Sequence, residues 1–390
     1  MVIGESVLLE QWPHTLKLVN APTNVTLLNP GQCIRIGVYA SGDSRDSYIE
    51  KTKLAFRVRF AGQIQDHALA PLAQIKQIKP EGGDFVTGAL AAAGIKNPLT
   101  TLVTLGASAD KWCVPADAQD GKAVIEAEIE SPAGHQKQKP AEVQIESFET
   151  GSRKSFKSLQ ESSDFSQTYY RQPNPARLLP MLQNALDAEK AKPQSGVFGI
   201  AVVSLRAALK AEPVAAQDFL ARMATQEKTT QAIGLFALRA AGYDISSVLK
   251  TLSAAEQQSI QSASPMPDLY NLEPTAAIGN QLDLLWATFG ATGQIEPMKT
   301  IASTLVWRSD YDAYDKMRKS GTRPSEITPS LARALGYRAA GWSMGSFQMT
   351  DPLAADYIEY MLASADTPET IKSELKALST NPAFKRDSQK

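Results

Sequence analysis

The string Gly341-Trp342-Ser343-Met344-Gly345 matches the G-x-S-x-G pattern of a nucleophile elbow. That chemistry needs the serine on a sharp turn between a strand and a helix, with an acid and then a histidine later in the chain. Residues 331–340 have helical periodicity instead, and no histidine follows His135. We therefore interpret the two glycines as small residues that let two helices approach each other closely.

The histidines offer no metal site. His14, His67 and His135 are the three in the chain, and none lies at metal-ligand spacing from a cysteine or another histidine. Neither common form of glycine-rich phosphate loop occurs in the sequence. We expect neither a metal nor a cofactor.

Asp310 and Asp312 are a carboxylate pair that could supply the acid and the base for cleavage of a glycosidic bond. Their side chains would lie about 200° apart on a helix, which argues against joint action. A polysaccharide-active enzyme, a glycosidase or a lyase, with a β-sandwich accessory domain is the alternative function.

Two irregular stretches, residues 262–280 and 307–327, flank a predicted helical hairpin. The start of the first helix and the end of the second lie at the same end of an antiparallel hairpin, so these flanks should converge. Long loops are enriched in function, and tryptophan, tyrosine and arginine are typical of binding hot spots. We predict that a partner binds at Asp268, Tyr270, Trp307, Arg308, Asp310, Tyr311, Asp312 and Arg323. The competing interpretation is a solvated connection that is helical from Tyr311 to Lys319.

Apolar residues at helical spacing predict the elements that would carry this surface. The first helix of the hairpin has Leu282, Leu285, Trp286 and Phe289, and the second has Met298, Ile301, Ala302 and Leu305. Gly293 should end the first helix. A later helix should bury a face formed by Ala332, Leu335, Ala339 and Trp342.

This hairpin resembles a degenerate tetratricopeptide-like repeat. The resemblance is carried by the apolar pair Leu285-Trp286 with Phe289, by Gly293 at the turn, and by Leu305 closing the second helix. The predicted helix ends near Gly242, Gly293 and Thr350 are not spaced at the regular interval of about 34 residues. The resemblance implies scaffolding or protein binding.

The N-terminal part has strand periodicity. Leu54, Phe56 and Val58 alternate with polar or small residues, and so do Ala123, Ile125, Ala127 and Ile129. Turn signals such as Asn29-Pro30-Gly31 separate short strands, which favours a sandwich. The stretch from Asp120 to Phe148 resembles the closing hairpin of immunoglobulin-like modules that are common in exported bacterial proteins. It departs from immunoglobulin domains because no tryptophan follows Cys33 at the usual interval.

The two cysteines, Cys33 and Cys113, allow a disulfide or two buried reduced thiols. The net charge of −1 gives no electrostatic reason to bind nucleic acid. No stretch reaches the roughly 20 apolar residues of a transmembrane helix. Residues 1–16 lack the basic start of a signal peptide. We expect an extracytoplasmic location, the periplasm or the cell surface, if a signal was trimmed, and a cytoplasmic location otherwise.

These observations predict a multidomain β + α protein, with an N-terminal antiparallel β-sandwich followed by an all-α array of antiparallel helical hairpins. The predicted domains are residues 1–150 with a short helix near 84–95, a linker or first helix over 151–173, and the helical domain over 174–390. The predicted function is a non-catalytic interaction or structural protein whose helical domain binds a protein partner.

Overall fold

The computed structural model describes residues 3–4, 7–12, 15–19, 27–34, 36–41, 45–75, 103–138, 140–171, 173–192, 197–262, 268–321 and 326–384. The helix predicted near 84–95 and the candidate residue Arg323 lie outside these residues. The chain contains two compact units. Unit 1 contains Met1–Ile78, Thr101–Met266 and Gly290–Thr292, and unit 2 contains Pro267–Phe289 and Gly293–Lys390.

The strands that the structure describes belong to unit 1, and turn residues keep most of them short. They are β1 (Ile3–Gly4), β2 (Val7–Trp12), β3 (Thr15–Val19), β4 (Leu27–Leu28), β5 (Cys33–Ile34), β6 (Gly37–Ser41), β7 (Lys53–Phe60), β8 (Gln63–Pro71), β9 (Ala73–Ile75), β10 (Val103–Ala107), β11 (Trp112–Cys113), β12 (Gly121–Ser131), β13 (Gly134–Lys137) and β14 (Ala141–Ile145).

The largest sheet has six strands in the order β4-β14-β12-β7-β8, with β13 paired to β12. It is mixed, because β4 pairs with β14 in parallel while the other neighbours are antiparallel. A four-stranded sheet has the order β1-β6-β10-β9, and β2 with β3 and β5 with β11 form two-stranded ribbons.

The alternation predicted along β7 and β12 is confirmed. The inward residues are almost fully buried: Leu54, Phe56, Val58, Ala123, Ile125, Ala127 and Ile129. On the other face, Glu126 and Glu128 form cross-strand ion pairs, with a carboxylate oxygen 3.0 Å from Arg59 Nη2 and 3.0 Å from Lys137 Nζ, respectively. One face of this sheet therefore belongs to the core, and the other is polar.

The predicted fold class is wrong, because the described part of the chain forms no β-sandwich and its main sheet is not purely antiparallel. The buried face of the six-stranded sheet shares its core with Tyr48 and Ile49 of helix α1 (Arg45–Glu50) and with Trp112 and Val114. Alternation indicates that one face of a strand is buried, but it does not indicate which element covers that face.

Cys33 and Cys113 form a disulfide, which decides between the two alternatives that the sequence allowed. They are directly opposite each other on β5 and β11, and their Cα atoms are 3.9 Å apart. The disulfide joins positions 80 residues apart in sequence. It therefore anchors the segment that includes Gln32.

The helices of unit 1 that follow the sheets are α2 (Phe148–Ser152), α3 (Leu159–Gln167), α4 (Leu178–Ala191), α5 (Val197–Ala211), α6 (Pro213–Met223), α7 (Lys228–Ala240), α8 (Ser246–Leu249) and α9 (Ala254–Ser262). The polar stretch after residue 151 contains α3. Ser158 Oγ accepts a hydrogen bond from the Glu161 amide, and Glu161 Oε2 accepts one from the Lys157 amide, which resembles a capping box. Leu182, Leu205 and Leu235 are fully buried in the helical core.

Unit 2 is helical. Its helices are α10 (Ile278–Thr292), α11 (Glu296–Ser303), α12 (Arg308–Lys319), α13 (Pro329–Thr350), α14 (Pro352–Ala363) and α15 (Glu369–Thr380). The two apolar helix faces predicted over 282–305 are confirmed, because their residues are 0–6% exposed. Gly293 ends α10 with φ +66°, a left-handed conformation that favours glycine. None of the described helices combines the length and the apolar composition that crossing a bilayer requires.

Candidate interaction surface

Helix α12 carries four of the eight predicted binding residues. None of its twelve residues is buried. Its first turn contains Asp310, and its last turn contains Lys316, Arg318 and Lys319. Negative charge near the start of a helix and positive charge near its end stabilise the helix dipole. Local charge therefore explains why a stretch with so little apolar character is helical.

Arg308 is the centre of a polar cluster between α12, α13 and α15. Its Nε donates to Asp312 Oδ1 at 3.1 Å, and its Nη1 donates to Tyr337 Oη at 3.1 Å and to both carboxylate oxygens of Glu374, each at 3.1 Å. Tyr337 Oη in turn donates to Glu374 Oε2 at 2.5 Å. Burial and then this bond raise the pKa of Tyr337, and the bond to Asp312 raises that of Arg308.

Asp310 faces α13. It accepts two hydrogen bonds from Arg333, at 2.8 Å from Nε and 3.3 Å from Nη2, and a third from Ser330 Oγ. The bonds from Arg333 and Ser330 hold the pKa of Asp310 below its usual value. The Asp310–Arg333 pair is the two-pronged arrangement that gives arginine–carboxylate contacts their specificity.

Aromatic side chains complete the contact of this region with α13. Trp307 ends a 3-10 turn, Thr304–Trp307, and lies against Gly336 so closely that a Cβ there would be 2.9 Å from its Cζ3. The same Cβ would be 3.0 Å from Ile278 Cγ1, at the start of α10. The ring of Tyr311 lies 5.0 Å from that of Tyr337. Trp307 and Ile278, the ends of the two flanking stretches nearest the hairpin, thus both lie against Gly336.

Asp268 and Tyr270 lie in a turn that precedes α10. Asp268 caps a local turn, accepting a hydrogen bond from the Tyr270 amide at 3.0 Å. Tyr270 is 47% exposed. The structure therefore brings together Trp307, Arg308, Asp310, Tyr311 and Asp312, whereas Asp268 and Tyr270 share a turn before α10.

The two aspartates do not suit acid–base cleavage. Asp310 pairs with Arg333, and Asp312 pairs with Arg308. A general acid needs a raised pKa, whereas that of Asp310 is lowered. Among the described residues, no cluster of histidine, cysteine, aspartate and glutamate could hold a metal ion.

Trp342 is the candidate binding residue that the sequence interpretation missed. It was predicted to lie on a buried face of α13, and that is wrong, because it is 67% exposed. The buried row is instead Ala332, Gly336, Ala340 and Met344. Four-residue spacing of small side chains was the signal that could have identified this row, since it lies about 140° from Trp342 around the helix.

The G-x-S-x-G string lies inside α13, as its periodicity predicted. Ser343 Oγ donates to the Ala340 carbonyl at 3.2 Å, so the hydroxyl bonds to its own helix. A Cβ on Gly345 would lie 2.6 Å from the ring of Phe384. The glycine therefore permits close packing.

The comparisons with known proteins assign no family. No protein-family model matches the chain, and neither a curated protein nor a solved structure matches it. The case for a function therefore rests on the residues themselves.

Proposed function

We propose that the protein is a non-catalytic interaction protein, and that unit 2 binds a protein partner through the exposed face of α13 that contains Trp342. A tryptophan is the residue type most enriched in binding hot spots, and this one is 67% exposed. That exposure is the observation that carries the proposal.

The surroundings of Trp342 support the same function. Leu331, Leu335 and Met349 are half-buried and lie within about 40° of one another and of Trp342 around the helix. These four residues, the Trp342 stripe, form a row on the side of α13 away from its small-residue row, and the exposed Arg338 lies beside it. An amphipathic helix or a loop of a partner would cover such a row. The predicted tetratricopeptide-like role is of this kind.

The polar cluster on α12 supports the proposal in another way. Ion pairs with Arg333 and Glu374 hold α12 on α13 and α15. A surface that is already ordered loses little conformational entropy on binding. The residues predicted on α12 remain a second patch that the experiment below tests.

A capture experiment tests the proposal with matched variants. The full chain is immobilised, bound proteins are identified by mass spectrometry, and Kd is then measured for the purified partner. Trp342→Ala should weaken binding by about thirtyfold, equivalent to about 2 kcal/mol. Leu159→Ala, which alters a 40% exposed side chain of unit 1, is the control and should leave Kd unchanged.

The outcomes separate the two patches. Loss of binding with Tyr311→Ala but not with Trp342→Ala would move the contact to α12. Equal Kd values for the wild type and both variants would contradict the proposal, because neither patch would then contribute to the contact. Circular dichroism of each variant checks that the helices are retained.

We also propose an oxidising location for the protein, supported by the Cys33–Cys113 disulfide. Disulfides persist outside the reducing cytoplasm. Cells lysed into a thiol-alkylating reagent should yield protein with neither cysteine labelled. Labelling of both in cytoplasmic fractions would contradict this placement.

A further inference from the structure

Glu212 is a buried carboxyl group in unit 1. It lies where residues 29–34, which we call the β segment, meet the helices of that unit. Its side chain is 6% exposed, and the residue immediately precedes α6. Its amide donates to the Leu209 carbonyl at 3.2 Å, and its carbonyl accepts from the Ala216 amide at 2.9 Å. The main chain is therefore held on both sides, so the carboxyl group has little freedom to reach solvent.

The donor to this carboxyl comes from the β segment. Gln32 Nε2 donates to Glu212 Oε1 at 2.8 Å, and Gln32 is 1% exposed. The orientation of the side-chain amide of Gln32 is defined, because its Oε1 accepts a hydrogen bond from the main-chain N–H of Asn29 at 2.8 Å. The NH₂ end must therefore face Glu212.

The β segment itself is fixed. The Gln32 carbonyl accepts from the Val114 amide at 2.9 Å, and the neighbouring Cys33 is in the disulfide. A Cβ on Gly31 would lie 2.5 Å from Val214 Cγ2, which is in the first turn of α6. The Gln32–Glu212 contact thus lies where the β segment and the start of α6 touch directly.

Among the described residues, the titratable groups whose pKa responds to Glu212 are two phenols. Tyr169 comes from the 3-10 turn Tyr169–Arg171, and Tyr243 comes from the segment after α7. Tyr243 Oη donates to the Leu209 carbonyl at 2.9 Å. Neither phenol carries a positive charge. Burial raises the pKa of Glu212 to about 8, and the bond from Gln32 lowers it in part.

We propose that the junction between the β segment and α6 is pH-dependent within unit 1: it is most stable while Glu212 is protonated, and it opens when Glu212 ionises. The physical reason is that a neutral acid is accommodated in this buried place, whereas a carboxylate there would have, among the residues that the structure describes, one amide donor and no cation that lowers its pKa.

The direction of the effect follows from proton linkage. The carboxyl group has a pKa of 4.5 in the unfolded chain and about 8 in the folded one. The folded state therefore binds the extra proton between these values, and its stability falls as pH rises through that window. One proton changes the folding equilibrium constant about tenfold for each pH unit.

Urea unfolding of the full chain from pH 5 to pH 9 tests this. The wild type should lose stability with rising pH. Glu212→Gln keeps the shape and removes the charge, so for each pH unit its folding equilibrium constant should fall by a factor about ten times smaller than that of the wild type. Glu130→Gln is the matched control, since Glu130 is an exposed residue of β12 in the same unit. It should show the same pH dependence as the wild type.

A second measurement does not depend on the variant folding. In wild-type protein labelled with ¹³C in glutamate side chains, the Glu212 carboxyl signal should titrate near pH 8. Amide exchange corrected for its intrinsic pH dependence should rise at Ala216 and Gly31 over the same interval. A carboxyl signal that titrates at the ordinary glutamate value, or identical pH profiles for the wild type and Glu212→Gln, would overturn the proposal.

Discussion

Two carboxyl groups, Glu212 in unit 1 and Asp310 in unit 2, have similar chemistry and opposite behaviour. Glu212 is enclosed with an amide as its hydrogen-bond donor, and its pKa rises to about 8. Asp310 is bound by a guanidinium group and a hydroxyl, and its pKa falls. Burial alone does not determine the charge state of an acid, because the charge of its partner decides whether the ionised form is stabilised.

The contrast predicts that unit 1 loses stability as pH rises and that unit 2 loses stability as pH falls. Unit 1 should lose stability as pH rises towards 8, because Glu212 must give up its proton. At Asp310 the folded pKa lies below the unfolded value of 3.8. Its contribution is therefore present above pH 3.8 and is lost as pH falls.

The largest expected effect comes from the disulfide that anchors the donor side of Glu212. Cys33→Ser opens the link to Cys113 and should lower the free energy of unfolding by about 4 kcal/mol. Both cysteines lie in unit 1. Urea unfolding gives the total change, and hydrogen exchange by mass spectrometry should show it in peptides of unit 1. Equal loss of protection in unit 2 peptides would contradict that assignment.

Removal of the donor itself should cost less. Gln32→Leu leaves Glu212 without its amide partner and the Asn29 amide without its acceptor, so we expect a loss of about 3 kcal/mol. The bond from Gln32 lowers the pKa of Glu212, so its removal should extend the pH-dependent window to higher pH. Unfolding curves at several pH values measure both effects. An unchanged pH window would show that the bond from Gln32 does not affect the titration of Glu212.

The ion pair in unit 2 should contribute less again. Asp310→Asn removes the charge that faces Arg333 and should destabilise unit 2 by about 1 kcal/mol at pH 7. The difference from the wild type should shrink below pH 3.8, where the wild-type carboxyl is protonated as well. Hydrogen exchange in α12 peptides at pH 3 and pH 7 measures this. A difference that grows in acid would reverse the comparison.

The smallest effect sets the baseline. Lys53 and Glu130 lie 3.6 Å apart on the solvated face of the sheet, and both side chains are about half exposed, 47% and 49%. Lys53→Gln should change the free energy of unfolding by less than about 0.5 kcal/mol, because exposed pairs contribute little. Thermal unfolding at low and high salt measures it. A loss as large as that of Asp310→Asn would show that partner charge, without burial, explains the contrast.

Sequence patterns predicted the elements better than the contacts between them. The apolar spacing of Leu282, Leu285 and Phe289 identified a helix and its buried side, and Gly293 identified its end. The same reasoning placed Trp342 on the buried side of α13, where it does not lie. A helix with small residues on one side and large apolar residues on the other has two candidate faces, and periodicity does not rank them.

The candidate surface shows the same division. The types of Arg308, Asp310 and Tyr311 indicated a polar and aromatic region next to the hairpin. Their partners, Tyr337, Glu374 and Arg333, are on helices that follow later in the chain. No spacing rule connects residues that meet only after the helices pack.

By itself, the sequence determined that residues 282–305 contain two helices, which side of β7 and β12 is apolar, and where glycine must end α10. These properties depend on neighbours within a few residues, which repeat at fixed intervals along a helix or a strand. Tertiary structure alone decided that the six-stranded sheet shares its core with α1 and the β11 segment, that Cys33 pairs with Cys113, and that Glu212 meets an amide while Asp310 meets a guanidinium group. Each of these outcomes depends on groups that are distant in sequence, and their distance and burial exist only in the folded chain.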